Sequence, residues 1–534
     1  MDKFGQRLKA LTPAVLQGIR RGIEKEGLRV RVDGTLATTP HPVALGSALT
    51  HPHIITDYSE AQLELITGVH TSVESCLDEL KRIHQFVYRN IGDEVMWSAS
   101  MPCYLPSEQE IPIGRYGTSN VGTAKTVYRT GLAHRYGKRM QTISGLHYNF
   151  SLPEAAWPLD GLNNANDAYF ALIRNFRRNG WLLMHLFGAS PAVCASFVQG
   201  RPNPLQELSK GTRYLPNATS LRMGRLGYLS EAQDSLAVSY NCLDDYTASL
   251  FEALTKPYPP YEAIGIGSGS VGGDTVDGYR QLATSLLQIE NEFYSTIRPK
   301  RVIRPAERPL HALRERGVEY VEVRAMDLDP FSAIGIAPDT ARFLDVFLLH
   351  CLISDSPQDT PQELGAFGRN KQDVASRGRE PGLQLERFGR MVNLVEWGSE
   401  VLSECNSIAA ALDAAMGGGS AYRQALAGAL ATLKAPVRLP SARMLAEIRQ
   451  SYNDAYGRFA LAKSIEHRAT LRGEAFSMEE EARFSRMARE SIEEQRRVEA
   501  ADTVPFETYR QRYLSHESLI PDSGSLSSLG GPSP

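Results

Sequence analysis

A short segment in the first third of the chain combines strand periodicity with side chains that can bind a ligand. Between residues 146 and 152 the sequence LHYNFSL places Tyr148 and Phe150 on one side and His147 and Asn149 on the other. This alternation predicts a β-strand with one face in the core. The polar face fits either part of a metal or ligand site or a hydrogen-bonded histidine on a solvated strand, and the strand alone leaves both interpretations open.

Three other segments carry acidic side chains on strand-like patterns. Residues 18–32 predict a strand with two glutamates on one side, residues 54–67 a strand pair or a bent strand, and residues 317–326 a strand with valines opposite its polar face. The polar residues of these segments are Glu24, Glu26, Asp57, Glu60, Glu64, Glu322 and Arg324. If the strands share one sheet, its polar face is a basin of carboxylates with a histidine and an arginine.

Such a basin favours one kind of chemistry. Carboxylates packed together repel each other unless protons or cations neutralise them. Mg²⁺ prefers oxygen ligands of this kind and usually keeps water and substrate phosphates as further ligands, while an arginine fork suits phosphate or carboxylate recognition. The pattern therefore indicates metal-assisted phosphate chemistry on an open antiparallel sheet. A surface ion-pair network is the alternative that the residues alone leave open.

The composition is that of a large globular protein with a small-molecule partner. The chain has 534 residues, of which 42% are hydrophobic and 22% charged, and its net charge of −3 argues against nucleic-acid binding. The six cysteines show no metal-ligand spacing, which favours reduced thiols and a cytoplasmic protein. The N-terminus lacks the apolar core of a signal peptide, and the uncharged stretch 181–198 is too short and too interrupted to span a membrane.

Periodicity divides the chain into three parts. We expect a catalytic region of strands and helices over residues 1–360, a mainly helical part that clads it over 361–522, and a disordered tail over 523–534. One long apolar-faced helix is predicted over 165–187. The glycine-rich run at 265–273 matches GxGxxG only literally and lacks an apolar helix after it, so we expect a hairpin loop. No P-loop pattern occurs, which disfavours a P-loop nucleotide site.

Several long segments, in order from about residue 15 to about residue 515, carry a family resemblance. They include GIRRGIEKEGLRV, YGTSNVGTAKTVYRTGL, MQTISGLHYNFSLP, LQIENEFYSTIRPKR and VEYVEVRAMDLDPFS. Together they resemble the proteobacterial type of glutamate–cysteine ligase (γ-glutamylcysteine synthetase). The resemblance implies an α+β fold whose antiparallel sheet forms an open basin, similar to the catalytic domain of glutamine synthetase, with helices behind. It also implies ATP-dependent ligation of the γ-carboxylate of L-glutamate to the amine of L-cysteine, the first step of glutathione biosynthesis.

The resemblance assigns roles to individual positions. The positions that match the metal ligands of the family are Glu24, Glu26, Asp57, Glu64, His147 and Glu322. Arg129 and Arg324 match the residues that meet the transferred phosphate and, with Glu322, form the implied catalytic set. Arg222 matches a contact of the glutamyl part. The implied walls of the cysteine pocket are Tyr128, Leu132, Tyr228 and Tyr294, with Tyr58 and Gln141 as further contributors.

The resemblance also implies cofactors, partners and a mechanism. Mg²⁺ or Mn²⁺ is the implied metal, ATP the co-substrate, and the protein a cytoplasmic monomer without nucleic-acid or membrane partners. The γ-carboxylate of glutamate attacks the γ-phosphorus of ATP, and the amine of cysteine then attacks the acyl phosphate, so no enzyme nucleophile is required. Two alternatives stay open: a ligase of the same fold that uses a different amine, and a non-catalytic binding protein that kept the sheet.

Overall fold

An antiparallel sheet is the element that the rest of the fold surrounds. The computed structural model describes residues 3–159, 161–162, 164–227, 231–234, 236–267 and 278–520. The strands are β1 (Arg20–Val30), β2 (Ile54–Thr56), β3 (Gln62–Ile66), β4 (Val95–Met96), β5 (Leu146–Ser151), β6 (Ala192–Cys194), β7 (Gln206–Ser209), β8 (Thr212–Tyr214), β9 (Ile297–Lys300), β10 (Tyr320–Met326), β11 (Gln384–Arg387) and β12 (Arg390–Asn393). Over these residues the main sheet has seven strands, in the order β2-β3-β1-β5-β10-β9 with β4 beside β1. Its strand pairs are antiparallel, so the predicted α+β class with an antiparallel sheet is confirmed.

Helices cover one face of this sheet and form the C-terminal part. They are α1 (Lys3–Ala10), α2 (Pro13–Gln17), α3 (Val73–Asn90), α4 (Asn120–Tyr136), α5 (Lys138–Gln141), α6 (Ala165–Asn179), α7 (Trp181–Phe187), α8 (Ala195–Val198), α9 (Glu231–Asp234), α10 (Leu243–Thr255), α11 (Pro259–Glu262), α12 (Pro309–Arg316), α13 (Pro338–Ile353), α14 (Pro361–Arg377), α15 (Leu394–Ala415), α16 (Ala421–Lys434), α17 (Pro440–Ser451), α18 (Tyr456–Gly473), α19 (Met478–Ala500) and α20 (Phe506–Tyr513). Helices α6 and α13 pack on each other, and α15 and α16 pack on α13.

Side chains of β5 and β10 alternate between the hydrophobic core on one face of the sheet and the basin on the other, as the sequence pattern predicts. Tyr148, Phe150, Val321 and Val323 are completely buried on the helix side of β5 and β10. Burial of such apolar area contributes about 25 cal/mol per Å² to folding. The same alternation places the polar residues of these strands on the open face.

A buried ion pair joins the sheet to helix α13. Nη2 of Arg21 lies 2.9 Å from Oδ2 of Asp345, and both side chains are excluded from solvent. The hydroxyl of Tyr148 donates to Oδ1 of Asp345 at 2.8 Å. Nε and Nη2 of Arg21 and the Tyr148 hydroxyl all donate to the Asp345 carboxylate, and such hydrogen bonds offset part of the cost of burying the two charges.

Two features differ from the sequence predictions or fall outside them. The prediction of a single helix over 165–187 is wrong, because the structure has two helices, α6 and α7, which are separated at Gly180. A Cβ at this position would lie 2.7 Å from the carbonyl oxygen of Phe176, and glycine is itself a poor helix former. The predicted glycine-rich hairpin lies mostly outside the described residues, as does the tail predicted from residue 523.

The C-terminal helices share a core with the region before residue 360. Leu344 and Phe347 of α13 belong to the same buried cluster as Trp397 and Leu412 of α15. A continuous core is typical of elements that fold together. The division of the chain at residue 360 stays a prediction.

Candidate active site

Strand register brings the predicted acidic residues together on the open face of the sheet. Glu24 on β1 is the Cα partner of His147 on β5. Glu26 on β1 is the partner of Glu64 on β3. On the far side of β5, Glu322 of β10 is the partner of Asn149. Directly opposed residues have neighbouring side chains, so segments far apart in sequence build one acidic surface.

Two groups of side chains within this surface have the geometry of metal-binding sites. Ligand atoms of Glu24, His147 and Glu322 lie within 4.8 Å of one another, and so do those of Glu26, Glu64 and His147. Nδ1 of His147 is 3.3 Å from Oε2 of Glu24 and 3.6 Å from Oε1 of Glu322. Nε2 of the same ring is 3.6 Å from Oε1 of Glu26. The imidazole is therefore shared between the two groups.

The electrostatics of the basin are those of crowded carboxylates. Burial, and then the charge of Asp57, raises the pKa of Glu26 to about 8. Burial and the neighbouring Asp57, Glu24 and Glu26 also raise the pKa of Glu64 well above its usual value. A carboxyl group whose pKa is raised in this way favours a proton or a cation beside it.

Glu322 and His147 behave differently. Burial opposes ionisation of Glu322, yet Lys300 and Arg324 outweigh it and hold the pKa of this carboxyl well below its usual value. Burial, and then Arg324, lowers the pKa of His147. The basin therefore combines an anionic carboxylate with a neutral imidazole, which are the forms that ligate metal ions.

The residues present fit a divalent cation. Among the described residues, Nε2 of His147, Oε2 of Glu322 and Oδ1 of Asn149 are buried without a hydrogen-bond partner. Buried polar atoms in proteins almost always have partners. Carboxylate, amide and imidazole donors are also the set that Mg²⁺ and Mn²⁺ accept.

Arginine side chains border the acidic surface. Nη1 of Arg324 lies 3.1 Å from Oε1 of Glu322. Nε of Arg129 donates to the backbone oxygen of Asp57, and its guanidinium carbon lies 4.5 Å from the centre of the Tyr116 ring. Both arginines line the same cavity as the glutamates, which has a volume of about 400 Å³. The cavity can therefore hold an anionic group between metal ligands and guanidinium forks.

Arg222 is placed differently from the other two arginines. It is completely buried and does not line the cavity, so the structure does not bring this predicted glutamyl contact to the cavity surface; its Nη2 donates to the backbone oxygen of Arg324 at 2.9 Å. Nη1 lies 3.7 Å from Oδ1 of Asp327. These contacts fix the backbone that carries Arg324.

The predicted cysteine-pocket residues line one part of the cavity. They are Tyr58, Tyr128, Leu132, Gln141 and Tyr294. Nε2 of Gln141 donates to the hydroxyl of Tyr294 at 3.0 Å. The walls are therefore apolar with a polar edge, as a small amphipathic substrate requires. Tyr228, the remaining predicted member, lies outside the described residues.

The structure adds cationic residues that the sequence analysis did not single out. Lys300 and Arg298 line the cavity, and Nζ of Lys300 is 3.5 Å from Oε1 of Glu322. In the strand register Arg298 is the partner of Glu322. Residues 298 and 300 share one face of β9, so the period of 2 in this basic segment was the signal that could have identified them.

A further acidic group and a larger cavity lie outside this basin. Glu307, His311 and Glu315 are close together on and before α12, but Arg316 already pairs with both glutamates. The larger cavity, of about 820 Å³, lies between α14, α15 and the β11–β12 hairpin and contains none of the predicted site residues.

Among the described helices, none is long and apolar enough to cross a membrane.

Comparison with known proteins agrees with this geometry. The profile of the family described as glutamate-cysteine ligase matches residues 6–374. Glutamate–cysteine ligases of Alcanivorax borkumensis and Azotobacter vinelandii are 47% and 49% identical over 531 and 540 residues, covering 96% and 98% of this chain and 100% of each relative. The crystal structure of glutamate–cysteine ligase from Francisella tularensis in complex with AMP has a TM-score of 0.87 at 35% identity, covering 93% of this chain and 97% of that chain. The chain therefore belongs to the glutamate–cysteine ligase family.

Proposed function

We propose that this chain uses ATP to join the γ-carboxylate of L-glutamate to the amine of L-cysteine, giving γ-glutamylcysteine, ADP and phosphate. The observation that carries the proposal is the single cavity that brings together two groups of metal-ligating side chains, two arginines and a tyrosine-lined pocket. Membership of the glutamate–cysteine ligase family supports the same reaction.

The acidic surface is the proposed seat of Mg²⁺ or Mn²⁺. The proposed ligands are Glu24, Glu26, Asp57, Glu64, His147 and Glu322. When bound there, divalent ions neutralise the charge of the ATP phosphates. The crowding of Glu26 and Glu64 supports this assignment, because cations relieve the repulsion that raises the pKa of both carboxyl groups.

The arginines are the proposed partners of the transferred phosphoryl group. Arg129 and Arg324 bind its oxygens and stabilise the charge that develops as the γ-carboxylate of glutamate attacks phosphorus. Glu322 orients Arg324 through the contact at 3.1 Å. The new O–P bond forms as the bond between the γ-phosphorus and the bridging oxygen of ADP breaks, so the products of this step are γ-glutamyl phosphate, an acyl phosphate, and ADP. No side chain of the protein becomes covalently attached to the substrate.

The tyrosine-lined part of the cavity is the proposed cysteine pocket. Its members among the described residues are Tyr58, Tyr128, Leu132, Gln141 and Tyr294, and the family resemblance adds Tyr228. Arg222, which the resemblance assigns to the glutamyl part, is completely buried, and its proposed role is to hold the backbone of Arg324. The pocket holds the amine of cysteine against the acyl phosphate, and the new C–N bond forms as the C–O bond to phosphate breaks. Orientation in this way can account for a large share of the rate enhancement.

The proposal is tested by an assay of both products. Purified protein with ATP, Mg²⁺, glutamate and cysteine is expected to release ADP and γ-glutamylcysteine in equal amounts. Hydroxylamine in place of cysteine is expected to trap the acyl phosphate as a γ-glutamyl hydroxamate. ADP release without a γ-glutamyl product contradicts the proposal.

A ligase of the same fold with another amine substrate is the second candidate. The apolar rings and the polar edge at Gln141 and Tyr294 fit the short thiol side chain of cysteine, which is the reason for placing cysteine first. A panel of amines in the same assay distinguishes the two candidates. A rate of ADP release that is equal with and without cysteine contradicts cysteine as the substrate.

A further inference from the structure

A buried glutamine on α9 bonds the backbone that carries one wall of the proposed cysteine pocket. Gln233 is buried and does not line the catalytic cavity. Its Oε1 accepts from the backbone nitrogen of Tyr294 at 3.0 Å, and its Nε2 donates to the backbone oxygen of Glu292 at 2.9 Å. Because a backbone nitrogen can only donate and a backbone oxygen can only accept, these two bonds fix the orientation of the amide.

A buried carboxylate forms the next part of this network. Oε1 of Glu292 accepts from Nη1 of Arg135 at 2.9 Å and from the hydroxyl of Tyr136 at 2.7 Å. The side chains of Glu292 and Arg135 are excluded from solvent. Nε2 of Gln233 also donates to the Tyr136 hydroxyl at 3.2 Å. Arg135 and Tyr136 end helix α4, so the network joins α4 to the segment before β9.

Gln288 connects the same network to the second wall of the pocket. Its backbone nitrogen donates to Oε2 of Glu292 at 2.7 Å, and its Nε2 donates to the backbone oxygen of Tyr128 at 3.3 Å. The approach is close because residue 131 is a glycine, where a Cβ would collide with the Gln288 amide. A buried polar network whose groups are satisfied specifies a single arrangement. The two walls of the pocket are therefore fixed relative to each other.

Three contacts hold Tyr294 itself. Its ring meets the ring of Tyr136 edge to face, with centroids 5.6 Å apart and planes at 69°. Its hydroxyl accepts from Nε2 of Gln141 at 3.0 Å, and its backbone nitrogen donates to Gln233. Edge-to-face pairs of aromatic rings have a preferred geometry. The Tyr294 ring cannot move back from the cavity without loss of at least one of these contacts.

We propose that Gln233, supported by Glu292 and Tyr136, is a positioning residue that holds the Tyr294 ring where cysteine binds. This inference rests on the proposed function, which places cysteine against Tyr294. Gln233 lies behind the wall and acts on the substrate through Tyr294. Its loss therefore weakens the binding of cysteine and leaves the metal ligands and the phosphate-binding arginines in place.

Gln233→Met tests this role, because methionine keeps the length of the side chain and removes its hydrogen bonds. In the full-length protein we expect the KM for cysteine to rise about fivefold, while kcat and the KM values for ATP and glutamate change less than about twofold. Circular dichroism and melting temperature check the fold. A general structural defect would instead lower kcat or raise all three KM values.

Gln85→Met is the matched control. Gln85 is completely buried and does not line the cavity, and its Nε2 donates to the backbone oxygen of Leu471 at 3.2 Å, joining α3 to α18. The substitution removes the same kind of buried amide at a place without contact to Tyr294. It should leave the KM for cysteine unchanged.

A double-mutant cycle shows whether Gln233 acts through Tyr294. In a Tyr294→Ala background, Gln233→Met is expected to raise the KM for cysteine by less than a further factor of about two, because the ring that it positions is absent. Tyr136→Phe removes the hydroxyl between Gln233 and Glu292 but keeps the ring. It is expected to give a smaller rise in the same constant, and it tests the network independently if Gln233→Met does not fold.

The inference is overturned if the effects of Gln233→Met and Tyr294→Ala multiply, or if Gln85→Met raises the KM for cysteine equally. Folded Gln233→Met and Tyr136→Phe proteins with wild-type constants also overturn it and leave the proposed function standing. A wild-type protein that forms no γ-glutamylcysteine contradicts the proposed function, and the inference fails with it.

Discussion

His147 on β5 and Glu24 on β1 are paired across the strands, with Nδ1 of the imidazole 3.3 Å from Oε2 of the carboxylate. The opposite nitrogen of the ring, Nε2, lies 3.6 Å from Oε1 of Glu26. The histidine therefore connects two groups of carboxylates into one site. Burial, and then Arg324, lowers its pKa and keeps the ring in the neutral form that binds metals.

Removing one charge from the acidic surface should abolish most of the activity while the fold survives. Glu24→Gln and Glu322→Gln each replace a proposed metal ligand by an amide of the same size, so we expect kcat/KM to fall by more than about 100-fold. Steady-state assays and circular dichroism measure the two effects. Glu400→Gln, at an exposed glutamate that pairs with Arg387, is the control and should retain activity. Wild-type turnover in the Glu24 or Glu322 variant would remove the proposed role of that residue.

Divalent ions should stabilise the protein. Burial and Asp57 raise the pKa of Glu26 to about 8, so the site without a cation carries unfavourable crowding. Mg²⁺ at about 100 times its Kd is expected to add about 2.7 kcal/mol to the free energy of unfolding. Thermal melts with Mg²⁺, against KCl of equal ionic strength, measure the change. The gain should be smaller in Glu64→Gln, and equal gains in KCl contradict a specific site.

Loss of the Tyr294 ring should affect cysteine more than ATP. Tyr294→Ala removes a cavity wall and the hydroxyl that accepts from Gln141 at 3.0 Å. We expect the KM for cysteine to rise about tenfold and the KM for ATP to change little. Tyr294→Phe, which removes only the hydroxyl, should give an intermediate value. An equal rise in both constants shows that the pocket assignment is wrong.

Stability should fall in mild acid because of a buried histidine. Burial, and then His53, lowers the pKa of His51 from 6.5 to about 4. Its Nδ1 accepts from the backbone nitrogens of His53 and Ile54 at 3.0 and 2.9 Å. Because the unfolded chain binds more protons between these pKa values, the free energy of unfolding decreases as pH falls from 6.5 to 4.

The comparison of pH 7 with pH 5 isolates this contribution. His51→Asn keeps an acceptor for the backbone nitrogens but does not titrate. We expect the wild type to lose about 2 kcal/mol more than this variant between the two pH values, measured by urea unfolding. Parallel losses in both proteins contradict the assignment to His51.

Breaking the buried ion pair behind the sheet should destabilise the fold. Asp345→Asn leaves the Arg21 guanidinium buried without a counter-charge, and such losses cost about 3–5 kcal/mol. Denaturant unfolding measures the change, with the exposed Glu400→Gln as the control. A free energy of unfolding that matches the wild type means that the pair is not needed for stability.

Much of the site could be predicted because strand periodicity and family resemblance agree on it. The alternation around His147, Glu24 and Glu322 identifies a polar face, and the strand register places these three side chains together. Pattern alone could not have selected Asp57, which lies between strands, or Arg129, which lies on α4. Contacts between distant segments, such as Tyr513 with Arg308, leave no periodic signal in a sequence. The break at Gly180 was missed because the apolar pattern continues through it.

The most direct test of the central claim is the position of divalent ions in a crystal structure with Mn²⁺ and a non-hydrolysable ATP analogue. Anomalous scattering identifies the ions independently of any assumption about the site. We expect peaks in contact with the side chains of Glu24, His147 and Glu322 and beside Glu26 and Glu64, bridging to the phosphates. Peaks held by other residues, or a nucleotide bound away from these carboxylates, would contradict the account.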